Sequence, residues 1–343
     1  MSELATIELP MGVAGFVKVE RFVGPIEDGI CNGVWDFHNL VLNSGLDYLC
    51  ELAGPVTLAA GMFKYCSVGS SNTAPAAGQT LLISPLGFVT SASATHSGPT
   101  AFPGATPYNE YSVQYDFAVG AIVGNVAEIG IGPGTYNVTS LFSRALVLDG
   151  GGSPTVVSVL VTESLRVTYY LRNYIITTDT AGVVTIGGIN YNYNIRAAAW
   201  NNFTMPITPF PGGWNSVSGQ LGNSNIFRAQ LNFGGTGIGA PTVAPIAAFS
   251  TQTLNTIDLL PANTGGSVGC GTNSIQAYTT GQYYRDNIIT IGLTEANSLT
   301  GGIGSIVYGG SFGMYQMSFT PKLPKTALNA FALRLRITVS NYP

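Results

Sequence analysis

The sequence predicts an all-β fold, an antiparallel β-sandwich or jelly-roll-like modules with one short helix near 44–53. Apolar residues recur at every second position over long stretches, the period that sets alternate side chains on one face of a sheet. Clusters of Gly, Pro, Asn and Asp separate these runs, as in DGGGSP at 149–154, DTAG at 179–182 and TGGIG at 300–304. Beyond 44–53 nothing reads as a long helix, and many short strands with Gly-rich turns point to a sandwich or jelly roll.

In chain order, strands are expected at 13–23 and 33–42. The stretch SGLDYLCELAG then reads as the helix. Ser44 is placed to cap it, Asp47 sits three residues on as in a capping box, and Gly54 ends it. Leu46, Leu49, Cys50 and Ala53 would share its buried face. A strand follows at 62–68. Tyr111, Val113, Tyr115, Phe117 and Val119 then alternate with Ser112, Gln114, Asp116 and Ala118. Further strands are expected at 122–131, 141–148 and 155–162. Leu165, Val167, Tyr169 and Leu171 alternate with Arg166, Thr168, Tyr170 and Arg172. The second half supplies strands at 183–195, 226–233, 287–293, 303–308 and 312–319. The last alternates Phe331, Leu333, Leu335, Ile337 and Val339 with Ala332, Arg334, Arg336 and Thr338.

The order EIGIG, SRALVLDGG, LRVTYYLR in the first half is echoed by ITIGL, GSIVYGG, FALRLRI in the second. Two β modules are therefore expected, 1–178 and 179–343, related by a weak internal repeat. The competing reading is that hairpins in a Gly-rich chain resemble one another.

Charged residues make up 9% of the 343, against roughly a quarter in ordinary domains, while 44 glycines and many Ser, Thr and Asn take their place. Disorder does not explain this, because 17 Tyr, 16 Phe and 3 Trp are present. A surface poor in Lys and Glu suits burial in an assembly, since desolvating charge is costly. The alternative is an extracellular β protein with a neutral polar surface. Net charge is −4 and no basic stripe exists, so no nucleic-acid partner is expected. The start, MSELATIELPMG, has no basic n-region, and no apolar run approaches the ~18 residues of a membrane span. Neither a secretory signal nor a membrane is expected. Cys31, Cys50, Cys66 and Cys270 lack metal-type spacing, and only His38 and His96 could join them, so no metal or cofactor is expected. Buried free thiols are the default, with a disulfide among Cys31, Cys50 and Cys66 left open.

The Gly-rich stretch EIGIGPGTYNVTSLFSRALVL lacks the Lys and the helix that a phosphate loop needs. It reads instead as a hairpin joining 122–131 to 141–148, with Glu128 and Arg144 as a candidate structural pair across it. GGSFG at 309–313 matches a nucleophile signature around Ser311, but a strand rather than a helix is expected to follow it. The carboxylates Glu110, Asp116, Glu128, Asp258, Asp286 and Glu295 are candidates for paired acid–base work, although sequence brings no two of them together. No enzyme is expected. NYNYN at 190–194, WNN at 200–202 and PFPGGWNS at 209–216 offer ring faces beside amides. They make Tyr191, Tyr193, Trp200 and Trp214 candidate glycan or partner contacts, against the reading that they are core aromatics. Lys322 and Lys325 flank Pro324 before the last strand and are candidate assembly contacts or edge guards.

HNLVLNSGLDYL, CSVGSSNTAPAAGQTLL, GNVAEIGIG, LFSRALVLDGGGSPTVVSVLVTESLRVTYYLR and TPKLPKTALNAFALRLRI together cover much of the chain. In this combination the chain resembles structural proteins of tailed-bacteriophage virions, of the tail-fibre, baseplate-peripheral or collar type. The resemblance implies a β-rich, non-enzymatic, oligomeric virion component and names no catalytic residues. No heptad or glycine-repeat shaft is present, so a compact subunit, tip or adaptor is expected rather than a long fibre. The expected partners are copies of itself, a trimer by analogy with fibres, and neighbouring virion proteins. Host surface glycan is the alternative partner, and a polysaccharide-degrading enzyme the remote one.

Overall fold

The computed structural model describes residues 4–50, 62–97, 108–135, 140–174, 178–197, 246–249, 268–269, 273–294, 297, 301–310 and 313–342. The first half contains β1 (Thr6–Val23), β2 (Ile30–Val41), α1 (Asn43–Cys50), β3 (Tyr65–Gly69), β4 (Pro85–Thr90) and β5 (Ser93–Ser97). It continues with β6 (Tyr108–Phe117), β7 (Gly124–Val126), β8 (Glu128–Gly132), β9 (Ser143–Leu146), β10 (Val157–Val159) and β11 (Glu163–Tyr174). Then come β12 (Thr180–Ile186), β13 (Ile189–Ala197), β14 (Ile246–Phe249), β15 (Val268–Gly269) and β16 (Asn273–Ile275). The chain closes on β17 (Tyr284–Ile291), β18 (Ile303–Gly310), β19 (Gly313–Leu323) and β20 (Phe331–Asn341). The fold is all-β, with α1 the single α-helix among the described residues.

A twelve-stranded sheet runs β16-β17-β20-β1-β2-β9-β8-β3-β4, with β11, β6 and β5 branching from β1. β1 is the hub. Its first half lies parallel to β20, while its second half is antiparallel to β11 on one side and β2 on the other. The terminal strands of both expected modules, 1–178 and 179–343, thus hydrogen-bond to each other. A six-stranded sheet, β12-β13-β19-β18-β14-β15, and a ribbon of β7 and β10 complete the fold. The two echoed segment sets pair differently: β8 pairs β9, whereas β17 pairs β20 and β18 lies in the six-stranded sheet.

The two parts of the twelve-stranded sheet are joined at β2. This strand pairs with β1 as far as Asn39 and then with β9 through Leu40 and Val41. The β9-β8-β3-β4 layer therefore folds back over β1, β11 and β6. Alternation puts Val17 and Val19, Val113, Tyr115 and Phe117, and Leu165, Val167 and Tyr169 into the space between the layers. Phe63 and Phe142, just ahead of β3 and β9, fill it from the other side. Phe63 lies 5.5 Å from Tyr169 and 4.7 Å from Phe142 between ring centroids. Tyr115 satisfies its buried hydroxyl by donating to the Phe63 carbonyl at 2.6 Å. Each such buried side chain contributes roughly 1.5–3 kcal/mol. The same core cluster extends to Ile195, Ile306, Met317 and Phe319 of the six-stranded sheet.

Several local expectations need correction. The helix starts at Asn43, and the Ser44 hydroxyl donates to the Leu141 carbonyl at 2.5 Å instead of capping. Asp47 serves no capping box: it accepts from the Tyr278 hydroxyl and from the Gly281 N–H. The single strand expected at 122–131 is two, since Ala127 breaks it between β7 and β8. The strand expected at 183–195 is the hairpin β12–β13, turning through Gly187 and Gly188 at positive φ. The helix end at Gly54 and the strand at 226–233 lie outside the described residues.

Candidate functional site

The expected hairpin is present as β8–β9, with Gly130 opposite Arg144. It brings Glu128 and Arg144 together, both fully buried. Arg144 donates to Glu128 Oε2 through Nε at 2.9 Å and Nη2 at 2.7 Å, a fork that suits a planar guanidinium. Glu128 Oε1 accepts from the backbone N–H of Ile83 at 3.1 Å and of Ser84 at 2.7 Å. Arg144 also donates to Gln79 Oε1 and to the Thr73 carbonyl, each at 2.9 Å. The pair thereby anchors the 70–84 loop to the hairpin, and its polar partners all come from the chain. It is a structural clamp.

The outer face of β6-β11-β1-β2 lies opposite the core side of these strands. Alternation places Phe16 and Lys18, Asp36 and His38, Tyr170 and Arg172, and Glu110 there. Together they line a groove of about 530 Å3. Phe16 stands opposite His38 on β2 and Tyr170 on β11, while Lys18 stands opposite Asp36. The His38 ring is 4.3 Å from that of Phe16. Arg172 lies 4.0 Å over Phe16 and 4.4 Å over Tyr108, and its Nε donates to Glu110 at 2.7 Å. Lys18 donates to Glu20 at 2.7 Å, and that bond holds its ammonium above its ordinary pKa. Burial raises the Tyr170 phenol, and the nearby carboxylates of Glu110, Asp36 and Glu20 add to this against Lys18. The phenol is therefore a proton donor at neutral pH. Aromatic rings sit among fixed donors and acceptors on a rigid sheet.

A second surface lies at one end of the same strands. Val23 pairs with Ile30, and Gly24 N–H bonds the Thr162 carbonyl, which brings Leu160 and Val161 alongside. The Gly120 N–H bonds the Glu163 carbonyl, so Val119 and Val123 border the same patch. Ile30 is 76% exposed, Val161 67% and Leu160 61%. Apolar side chains exposed together in this way mark contact surfaces more often than singly exposed ones do.

The other sequence candidates fall elsewhere. Tyr191 is buried in the core and offers no ring face, because on β13 it alternates inward with Ile195. Tyr193 is half-buried against that core, with its ring over Gly182. Trp200 and Trp214 lie outside the described residues. Lys325 is turned inward and buried, with its ammonium donating to Asn297 Oδ1 at 2.8 Å and the Thr326 carbonyl at 2.7 Å. Lys322 is half-buried near the end of β19. Cys50 and Cys66 are buried free thiols and Cys31 an exposed one; Cys270 lies outside the described residues. Gly310 pairs with Gly313, so strands flank Ser311 on both sides and no helix follows it. Glu110, Asp116, Glu128 and Asp286 are each ion-paired to an arginine, namely Arg172, Arg166, Arg144 and Arg336. Asp258 and Glu295 lie outside the described residues. Among the described residues no three His, Cys, Asp or Glu side chains gather as a metal site.

Sequence reasoning passed over the groove and the apolar end. The alternation that marks the strands also marks Phe16, Lys18, Asp36 and His38 as outward residues, but only the pairing of β1 with β2 and β11 joins them. No family model, curated protein or solved structure matches the chain.

Proposed function

We propose that the chain is a structural subunit of a tailed-bacteriophage virion, in the tail, baseplate or collar region, and that it works by assembly with copies of itself and with neighbouring virion proteins. The observation that carries the assembly reading is the exposed apolar end formed by Val23, Ile30, Val119, Val123, Leu160 and Val161. Burying such a surface supplies the free energy of association, and a chain with 9% charged residues brings few desolvation penalties to the contact. The virion assignment rests on the sequence resemblance alone. Closed symmetric homo-oligomers are the rule for subunits of this kind.

Light scattering on the size-exclusion peak tests the assembly. The purified chain is expected to elute as an oligomer, and the double variant Ile30→Lys/Val161→Lys as a folded monomer. A wild-type chain that stays monomeric at high concentration overturns the reading. Peptide mass spectrometry of purified particles tests the virion assignment, which fails if the chain is absent from them.

A further inference from the structure

We propose that the groove on the outer face of β1, β2, β6 and β11 binds a neutral saccharide. Its volume, about 530 Å3, falls in the range of small-ligand sites, and its walls are strands rather than loops. The class of ligand follows from the lining. Lys18 and Arg172 are matched by Glu20 and Glu110, and Asp36 adds one further negative charge, so the groove offers no focus for a polyanion. Of the lining charges Lys18, Asp36, Glu110 and Arg172, three are committed within the sheet, Arg172 and Glu110 to each other and Lys18 to Glu20. Asp36 is exposed, and no hydrogen bond engages its carboxylate among the described residues. It stands two positions from His38 on the outward side of β2, along a stretch (30–39) that among the described residues pairs only with β1.

A sugar ring has an apolar face of C–H groups and a rim of hydroxyls. The groove presents the matching pair of surfaces. His38 and Tyr170 supply ring faces and edges beside the Phe16 ring, which Arg172 covers, while Asp36, Glu110 and the Tyr170 hydroxyl supply acceptors and a donor at the rim. A peptide strand would need apolar pockets for alternate side chains, and this floor has charged groups at those positions. A neutral, polyhydroxylated ligand uses both kinds of group, stacking its C–H face on a ring and donating its hydroxyls to the Asp36 carboxylate.

The test needs no assembled particle, so its outcome is separable from that of the assembly reading. The purified full chain is applied to an array carrying neutral hexose, N-acetylhexosamine and sialylated oligosaccharides, and hits are titrated by calorimetry. Retention is expected on neutral chains. Asp36→Asn, an exposed isosteric change, and Tyr170→Ala are each expected to weaken binding tenfold or more, with thermal unfolding of Asp36→Asn unchanged. Tyr170→Phe separates the hydroxyl from the ring and is expected to lose less than Tyr170→Ala. The proposal is overturned by no retention on any neutral chain, by retention on sialylated chains only, or by binding that Asp36→Asn and Tyr170→Ala leave intact.

Discussion

Replacing Glu128 by Gln should destabilise the protein by about 3–5 kcal/mol, the range for breaking a buried ion pair from one side. The size follows from what is left behind. Gln keeps the length of the side chain and one carbonyl oxygen, so either the Ile83 and Ser84 N–H groups or the Arg144 fork retains an acceptor, but not both. The other position becomes an NH2 facing donors. In either orientation Arg144, fully buried, loses its carboxylate counter-charge, and with the amide nitrogen toward it only Gln79 and the Thr73 carbonyl remain as partners. Urea unfolding followed by tyrosine fluorescence measures the loss. Arg144→Met should cost a similar amount, because it strands the carboxylate. The double variant Glu128→Leu/Arg144→Met should cost less than the sum of the single changes. It should still cost something, since four partners in the 70–84 loop lose their bonds. That loop has other ties, among them Asn43 N–H to the Ala77 carbonyl and Leu141 N–H to the Thr80 carbonyl. Limited proteolysis should therefore cut Glu128→Gln within 70–84 faster than wild type, but not at the unfolded rate. A single-variant loss below about 1 kcal/mol, the scale of an exposed pair, would refute the reasoning.

Three further outcomes are expected. Gly45→Ala should destabilise by roughly 1–3 kcal/mol although alanine favours helix by about 1, because the added Cβ lies 2.1 Å from the Phe142 carbonyl oxygen; a raised melting temperature would contradict this. Maleimide labelling at pH 8, mapped by peptide mass spectrometry, should modify Cys31 about a hundredfold or more faster than Cys50 or Cys66, because thiolate character and exposure control the rate. Burial pushes the Cys50 thiol up to about 12, with Asp47 adding to it against Arg285, and burial alone raises Cys66; equal labelling rates would refute the packing around α1 and β3. The Glu163 carboxyl is held below its ordinary 4.5 by the Leu160 N–H and by Asn32 and Arg21, against desolvation. Its stabilising effect is complete above that value and is lost as pH falls through the lower folded value. Glu163→Gln should therefore flatten the acid limb of the melting temperature below about pH 4.5. Parallel wild-type and variant curves would exclude the contribution.

Much of the fold was legible because alternation is a direct image of a half-buried strand. Tyr111–Phe117, Leu165–Leu171 and Leu333–Val339 read correctly for that reason. The misses have physical causes. β1 starts at Thr6, seven residues before the expected start, because Pro10 argues against a strand interior. It is tolerated there because over that stretch β1 has β20 on only one side. The Gly187–Gly188 turn was hidden inside one long apolar-polar run although Gly-Gly is a hairpin signal. The Glu128–Arg144 contact was legible because a hairpin joins close neighbours in sequence. The groove was not, since its residues lie on β1, β2, β6 and β11 and converge only through pairing. Nor was the inward turn of Lys325, which depends on Asn297, between β17 and β18, meeting the connection from β19 to β20.

The scarcity of charge sharpens what the few charges do. Alternation alone leaves the pairing of two strands degenerate: a slip of two residues keeps every apolar side chain on the core face. In the β6–β11 pair, Arg166 stands directly opposite Asp116 and Arg172 directly opposite Glu110, and both pairs are bonded at 2.7 Å. A two-residue slip either way would set Arg166 against Gln114 or Ala118, and Arg172 against Ser112 or Tyr108. Both ion pairs would break together while the core stayed apolar. The same device recurs between β17 and β20, where Arg336 stands opposite Asp286 and bonds it at 2.8 Å. Individually such half-exposed pairs contribute ~1 kcal/mol or less. Against a competitor that matches the native register in hydrophobic energy, that difference decides the register. Exchanging Asp116 with Arg166 and Glu110 with Arg172 should therefore preserve the pairing. Asp116→Lys/Glu110→Lys, which sets like charges opposite each other at both positions, should favour slipped or aggregated chains. Hydrogen exchange of the β6 and β11 amides distinguishes the two outcomes, and equal protection in the charge-reversed and exchanged variants would show that the core alone sets the register.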